Sequence, residues 1–224
     1  MGKYNKDHTE YFNTEGIEIP SVTTIIKILN KPSLQKWSNY LGRCGRNVED
    51  VLDEYSSIGT NLHNMIHNHL SNTKEAKLDI KYDGEFDLLK IYLNNYLKWY
   101  NKVKPECILT EKEFSNDCYG GTIDFYGKVD NKYTLLDFKT SKAFYATMFI
   151  QLGGYVRLLE EEDYIVEQVG IVMINKVNRM KILSREEIQS YINLFNDLLK
   201  VFQASEKMDN EFNKDKSIGK IYPY

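Results

Sequence analysis

The feature that most constrains the fold of this chain is a strand–turn–strand pattern over residues 121–138. Asp130 and Asn131 lie at its centre, and both residue types tolerate the positive φ angles of a two-residue hairpin turn. Such a turn places Asp124 directly opposite Asp137, with their Cβ atoms about 4.5–5.5 Å apart. A three-residue turn would shift the pairing by one position, so the sequence leaves both registers open.

Apolar pairs favour the two-residue turn. In that register Ile123 lies opposite Phe138, and Phe125 lies opposite Leu136. Four apolar side chains would then share one face of the ribbon and the two carboxylates would lie on the other, because successive side chains of a strand point to opposite faces.

Helical and strand patterns alternate around this ribbon. Apolar residues at three- and four-residue spacing predict helices, and short apolar runs between turn residues predict strands. The predicted helices cover 22–29, 34–41, 48–70 with a break at 56–59, 86–100, 144–159 and 185–203, and the predicted strands cover 107–114, 121–127, 132–138, 165–174 and 179–183. The helix over 144–159 predicts a parallel crossover and the hairpins predict antiparallel pairs, so we expect an α/β domain with a mixed sheet.

Length and composition indicate a single globular domain. The chain has 224 residues, of which 42% are hydrophobic and 27% charged, and no repeat or linker divides it. We expect a mainly helical part over 1–105, a sheet core over 106–183, and a closing helix and tail over 184–224.

Charge, cysteines and motifs exclude several classes of protein. The net charge of −3 excludes a uniformly cationic surface but allows a local basic groove. No apolar run is long enough to span a membrane and no secretory signal is present, so we expect no membrane partner and a cytoplasmic location, in a phage, bacterial or organellar context. Three widely spaced cysteines predict no iron–sulfur cluster, and the lack of a phosphate-binding loop motif predicts no nucleotide cofactor.

The ribbon also carries the most informative chemistry. Lys139 follows Asp137 by two residues and therefore points to the same face as Asp137 and Asp124. Two adjacent carboxylates repel each other unless they are protonated or bridged by a cation, and oxygen ligands suit Mg²⁺ or Mn²⁺. A lysine beside such a cation would orient or deprotonate water and stabilise charge on a phosphoryl oxygen. The alternative is a surface hairpin with a solvated Lys–Asp pair.

Five short segments resemble one family. They are PSVTT at 20–24 with Leu34 and Trp37 after it, GTNLH at 59–63, GTID at 121–124, LLDFKT at 135–140 and QLGGY at 151–155. Together they resemble the PD-(D/E)xK nuclease superfamily in its RecB-like and phage-exonuclease branch, and the first segment is similar to exonucleases of the mitochondrial genome maintenance type. The resemblance covers roughly residues 20–175 and implies a restriction-endonuclease-like core behind an N-terminal helical region.

The resemblance also implies roles for individual residues. It makes Asp124 and Asp137 metal-binding and catalytic carboxylates, adds the Phe138 carbonyl and His63 as further ligands, and makes Lys139 the catalytic lysine. Gln151 and Tyr155 match a Gln-x-x-x-Tyr pattern on one helix face, from which they would contact the site or bound DNA.

Some residues stay ambiguous in the sequence. Glu111 and Glu113 alternate around one residue and would share a face, so either could assist the site. His67 lies one helical turn after His63, a spacing also found in zinc sites, but no third ligand accompanies the pair. We expect His67 and His69 to be structural.

A local DNA-binding surface is expected near the N-terminus. Residues 20–48 contain no Asp or Glu and include Lys36, Trp37 and Arg43. Cations beside an aromatic ring suit the backbone and the bases of single-stranded DNA. The alternative is a pair of surface helices that place Trp37 in the core.

Taken together, these features predict a divalent-metal-dependent DNA exonuclease of recombination, repair or phage DNA processing. Its substrate would be single-stranded DNA or DNA ends, and a helicase or a single-strand-annealing protein would be a suitable partner. The alternatives are a non-catalytic protein that binds DNA ends on a nuclease fold, and a restriction-type endonuclease.

Overall fold

A computed structural model describes residues 9–29, 32–73 and 78–214 of the chain. The last residues of the predicted tail, 215–224, lie outside the described residues. Along the chain the elements are β1 (Tyr11–Phe12), β2 (Glu18–Ile19), α1 (Val22–Ile26), α2 (Pro32–Arg43), α3 (Val48–Leu70), α4 (Glu85–Val103), β3 (Glu106–Leu109), β4 (Lys112–Ser115), β5 (Gly120–Ile123), β6 (Phe125–Val129), β7 (Lys132–Lys139), α5 (Ala146–Glu161), β8 (Gln168–Met173), β9 (Arg179–Ser184) and α6 (Gln189–Lys214).

A mixed five-stranded sheet forms the centre of the molecule, in the order β3-β6-β7-β8-β9. The neighbours β7 and β8 are parallel and are joined through α5, whereas the other neighbouring pairs are antiparallel. The prediction of an α/β fold with a mixed sheet flanked by helices is therefore confirmed.

The predicted hairpin register is confirmed as far as Phe125 and Leu136, whereas Asp124, predicted to lie opposite Asp137, is outside β6. Asp130 and Asn131 form the turn with φ angles of 50° and 61°. The pairs run from Val129 with Lys132 to Phe125 with Leu136, as a two-residue turn requires.

Two predicted strands are wrong as continuous strands, because each divides in the structure. The strand predicted over 107–114 divides into β3 and β4, and Glu111 lies at the break with a φ of 46°. The strand predicted over 121–127 divides at Asp124 into β5 and β6. β3 pairs with β6 in the central sheet, whereas β4 pairs with β5 in a separate two-stranded ribbon. The polypeptide therefore bends between β3 and β4 and again between β5 and β6.

This bend overturns one of the predicted apolar pairs. Ile123 pairs with Lys112 of β4 instead of lying opposite Phe138. Its side chain packs on the opposite side of the sheet from Phe138, since the β4–β5 ribbon separates from the sheet at Asp124, before β6 begins.

The sheet separates two hydrophobic cores. Leu135 and Ile171 point to a core formed with α1, α5 and α6. Leu136 and Phe138 point to a second core formed with α3 and α4. Because neighbouring residues of these strands supply both cores, consecutive apolar residues occur in each, such as Leu135 and Leu136 of β7 and Ile171 and Val172 of β8.

Most helix predictions hold, with shifted ends. Ser21 caps α1, since its Oγ accepts a hydrogen bond of 3.0 Å from the Thr24 N–H. The predicted break in α3 at 56–59 is wrong. Ser57 instead stays helical and donates a 2.8 Å hydrogen bond to the buried Glu85 carboxylate, which fixes α3 against the start of α4.

The end predicted for α2 at Gly42 is also displaced. The helix continues to Arg43, and Gly45 supplies the left-handed conformation, with a φ of 69°. Among the described residues, no helix combines the length and the apolar character needed to cross a membrane.

Candidate metal centre

Three side chains from separate elements form a cluster that can hold a metal ion. His63 of α3, Glu111 between β3 and β4, and Asp124 between β5 and β6 each offer one ligand atom, and these atoms lie within 4.8 Å of one another. His63 Nδ1 is 3.1 Å from Glu111 Oε1 and 3.5 Å from Asp124 Oδ1. One imidazole and two carboxylates are a suitable donor set for a divalent cation.

Asp124 is positioned by the bend that divides its strand. Its Oδ2 accepts a 2.8 Å hydrogen bond from the N–H of Phe138, which stabilises the carboxylate beside β7. The residue is only 8% exposed, so burial raises the pKa of its carboxyl group and the positive charge of His63 opposes that rise. Asp124 is thus aimed at the cluster by the backbone of the neighbouring strand.

Asp137 and Lys139 form a partly buried ion pair next to this cluster. Lys139 Nζ lies 2.8 Å from both carboxylate oxygens of Asp137, which is 1% exposed. Only Oδ1 accepts a well-directed hydrogen bond, so the buried Oδ2 has no hydrogen-bond partner in the described part of the chain. Burial raises the pKa of the Asp137 carboxyl to about 6, although the charge of Lys139 opposes the change.

The imidazole of His63 sits between two acceptors. Nδ1 faces Glu111, and Nε2 lies 3.0 Å from the carbonyl oxygen of Phe138. Burial would lower the pKa of His63, but the negative charges of Asp124 and Glu111 outweigh it and raise this pKa to about 9. A proton on each ring nitrogen satisfies both acceptors, and a metal ligand must give up one of them.

The structure separates the two glutamates that the sequence left equivalent. Glu111 joins the cluster, whereas Glu113 is exposed on β4, where it pairs with Thr122. Their shared face was expected from strand alternation, and that alternation is lost because Glu111 adopts a left-handed conformation at the strand break.

Gln151 and Tyr155 face each other on α5. Gln151 Nε2 donates a 2.8 Å hydrogen bond to the Tyr155 hydroxyl. The Tyr155 ring lies against the backbone of Gly121, where a Cβ atom would come within 2.4 Å of the ring. Burial and then the charges of Asp137 and Asp124 raise the pKa of Tyr155, so its phenol lies near the carboxylates and stays protonated.

Tyr11 is a neighbour of the site that sequence reasoning missed. Its hydroxyl shares a 2.7 Å hydrogen bond with Oγ1 of Thr122, two residues before Asp124. Its ring covers Gly120, where a Cβ atom would lie 2.4 Å from the ring. The adjacent glycines at 120 and 121 were the only available signal, because they allow a tyrosine ring to approach the strand closely.

The predicted DNA-binding residues lie on α2, which packs against α3. Lys36 and Arg43 are exposed and Trp37 is half-buried. None of the contacts described above for the cluster comes from α2. The other two histidines of α3 make contacts elsewhere: His67 with Thr110, and His69 with Tyr96.

Comparisons with known proteins add little. No protein family model matches the chain, and no curated protein matches it. The crystal structure of LHK-Exo in complex with dAMP is similar over 72% of this chain and 89% of that chain, with 14% identity and a TM-score of 0.36. The crystal structure of SSO0001 is similar over 63% of this chain and 74% of that chain, with 17% identity and a TM-score of 0.33. Both TM-scores are low, so neither likeness carries an argument about activity.

Proposed function

We propose that this chain is a divalent-metal-dependent nuclease of the PD-(D/E)xK type that hydrolyses phosphodiester bonds of DNA from an end. The observation that carries the proposal is the ion pair between the buried Asp137 and the half-buried Lys139, beside the cluster of His63, Glu111 and Asp124. An ion pair of this kind is costly to bury, and perturbed acidic groups in such a cluster are typical of functional sites.

The proposed cation is Mg²⁺ or Mn²⁺, because carboxylate oxygens form most of the donor set. His63, Glu111 and Asp124 would hold it, with the Phe138 carbonyl and Oδ2 of Asp137 as further ligands. When bound, such a cation supplies positive charge to a phosphate oxygen and lowers the pKa of a coordinated water.

Lys139 would act as a fixed positive charge. Burial would lower the pKa of its amine, but the charges of Asp137 and Asp124 outweigh this and raise the pKa above its usual value. A lysine that keeps its proton is a poor general base, so we assign it to orienting water and stabilising negative charge on the phosphoryl oxygens. Asp137 holds the amine in place at 2.8 Å.

Gln151 and Tyr155 would contact the DNA or position the reacting group, since their hydrogen-bonded pair adjoins the same carboxylates. A second DNA-binding surface would lie on α2, where Lys36, Trp37 and Arg43 would contact the DNA. The preference for ends, and the role in recombination, repair or phage DNA processing, rest on the sequence resemblance alone.

The test is digestion of DNA labelled separately at the 5′ and 3′ ends, single- and double-stranded, together with a circular single strand. We expect the linear substrates to be degraded with Mg²⁺ or Mn²⁺, and both the circle and samples with chelator to stay intact. Lys139→Ala and Asp137→Ala should each lower the rate by at least about 100-fold. Lys132→Ala, an exposed lysine of the same strand, is the matched control and should retain the wild-type rate.

Other results of this digestion experiment would support one of the two alternative functions. Cleavage of the circle would identify an endonuclease, and binding of DNA ends without degradation would identify a non-catalytic protein. Digestion at the wild-type rate by Lys139→Ala would remove this lysine from the mechanism.

A further inference from the structure

Two segments of the chain are free of acidic residues although they reach the surface. Residues 138–159 and 168–185 contain no Asp or Glu. They include four exposed cations, Lys142, Lys176, Arg179 and Lys181, which we call the β9 cation surface. Within the described residues, none of the four has a carboxylate oxygen within 4.0 Å, in contrast to Arg185, which pairs with Glu160 at 2.7 Å.

The strand register places part of this surface on the same side of the sheet as the proposed catalytic pair. Across the sheet, Lys139 aligns with Met173 and then with Arg179. Asp137 aligns in the same way with Ile171, and Ile171 with Lys181. Aligned residues of neighbouring strands point to the same face, and two strand spacings amount to about 10 Å. Arg179 and Lys181 therefore lie on the face that carries Asp137 and Lys139.

Contacts among the two segments hold the surface together. Asn175 Nδ2 donates a 2.5 Å hydrogen bond to the Ser141 carbonyl, and the guanidinium of Arg179 donates one to the Lys142 carbonyl. The guanidinium also lies 5.8 Å from the centre of the Phe144 ring. The loop after β7 and the turn after β8 are thus joined at the edge where β7 and β8 both end, so the guanidinium of Arg179 is positioned before any partner binds.

The segment for which the sequence predicted DNA binding, α2 and the residues just after it, has a different electrostatic environment. The next helix begins with Glu49 and Asp50, and Arg46 lies 3.7 Å from Glu54. The Glu54 carboxylate reduces the attraction of Arg46 for phosphates. The β9 cation surface has no such neighbours in its own segments.

We propose that the β9 cation surface binds the phosphate backbone of a single DNA strand whose end occupies the metal centre. The proposal rests on the proposed function for its ligand, and it adds a binding surface on β9 to the one expected on α2. Tyr145, which is 53% exposed beside these cations, provides an aromatic ring on which a base can stack.

The experiment measures binding of a labelled single strand of about 20 nucleotides in the presence of chelator, so that no hydrolysis is required. The variant carries Lys176→Gln and Lys181→Gln, and the control carries Lys200→Gln and Lys207→Gln on α6, with the same change in charge. All four lysines are exposed. Each lost phosphate contact should reduce the slope of log affinity against log salt by about 0.7. Two lost contacts make the loss of affinity about sevenfold larger at about 50 mM than at about 200 mM salt.

Wild-type affinity and salt slope in the β9 variant would overturn the proposal, and so would an equal loss in the α6 control. If the β9 variant does not fold, the test is instead chemical acetylation of lysines in the wild-type protein. Bound DNA should then protect Lys176 and Lys181 more than Lys200 and Lys207, and equal reactivity would refute the proposal. Failure of the proposed function is distinguishable, since a protein that binds through these lysines but never degrades DNA would contradict only the nuclease assignment.

Discussion

The buried carboxylate of Asp137 is the most consequential single-residue feature of this molecule. Leaving such a group unsatisfied costs about 1–3 kcal/mol, and more when it is charged. Asp137 Oδ2 accepts no well-directed hydrogen bond within the described residues, although Lys139 Nζ lies 2.8 Å away, and burial raises the pKa of the carboxyl to about 6. A bound cation would relieve this cost, which is why the side chain suits a metal centre.

The separation of Glu111 from Glu113 leads to a matched pair of variants. We expect Glu111→Gln to weaken binding of Mn²⁺ by at least about tenfold, because one carboxylate of the cluster is lost. Glu113→Gln removes the same charge from the exposed β4 and should bind Mn²⁺ like the wild type. Titration calorimetry measures both affinities, and equal losses in the two variants would show that only the overall charge matters.

The raised pKa of His63 predicts a pH dependence of stability in the metal-free protein. The folded pKa of about 9 lies above the ordinary value of 6.5, so folding favours the protonated ring. This stabilisation is complete below pH 6.5 and is lost as the pH rises through 9. We expect the Tm measured with chelator to fall over that interval, and to fall less in His63→Gln. Identical pH profiles for the two proteins would contradict the charged state assigned to His63.

At the level of elements, the site depends on the place where two strands change partners. β3 and β6 belong to the central sheet, while β4 and β5 form a separate ribbon. The bends between them carry Glu111 and Asp124, and these bends bring both carboxylates to His63. Continuous strands would have kept Glu111 and Glu113 on one face.

Two glycines give opposite predictions for replacement by alanine. At Gly121 a Cβ atom would lie 2.4 Å from the Tyr155 ring, so Gly121→Ala should lower the free energy of unfolding by about 1–3 kcal/mol. At Gly59, inside α3, a Cβ atom meets nothing within 4 Å, so Gly59→Ala should raise it by about 0.5–1 kcal/mol. Denaturant titration measures both. A stable Gly121→Ala protein would mean that the Tyr155 ring is free to move.

The same Gly59 variant tests the segment that resembles a nuclease motif. Gly59 lies one helical turn before His63. If the glycine leaves room for DNA, Gly59→Ala should be more stable than the wild type and yet digest DNA more slowly. Faster or unchanged digestion would assign the glycine no role at the site.

At the scale of the whole molecule, one sheet supports two cores. Leu152 of α5 and Leu62 of α3 lie on opposite sides of it, and each is at most 1% exposed. Since β7 and β8 contribute to both sides, neither core can lose its packing without exposing the sheet. We therefore expect the helical N-terminal part and the sheet core to unfold as a single unit.

This arrangement predicts one cooperative unfolding transition. Leu62→Ala and Leu152→Ala should each lower the free energy of unfolding by about 2–5 kcal/mol, and each should shift the same transition. Far-UV circular dichroism and tyrosine fluorescence should report coincident curves for both variants. Two separate transitions, with each variant affecting only one, would divide the chain into two domains.

Local sequence determined the parts of this structure that depend on neighbouring residues. The Asp130-Asn131 turn and the hairpin register follow from it, because turn length sets which residues lie opposite each other. The cap at Ser21 and the mixed sheet were predictable in the same way, from hydrogen bonding within one turn and from a helix between two strands.

Only the tertiary structure decided which side chains meet at the metal centre. His63 and Glu111 are 48 residues apart, and Tyr11 and Thr122 are 111 apart. The strand breaks at Glu111 and Asp124 likewise arise because the partner strands differ before and after each break. Contacts at such separations depend on how whole elements pack, and no periodicity within one element records that packing.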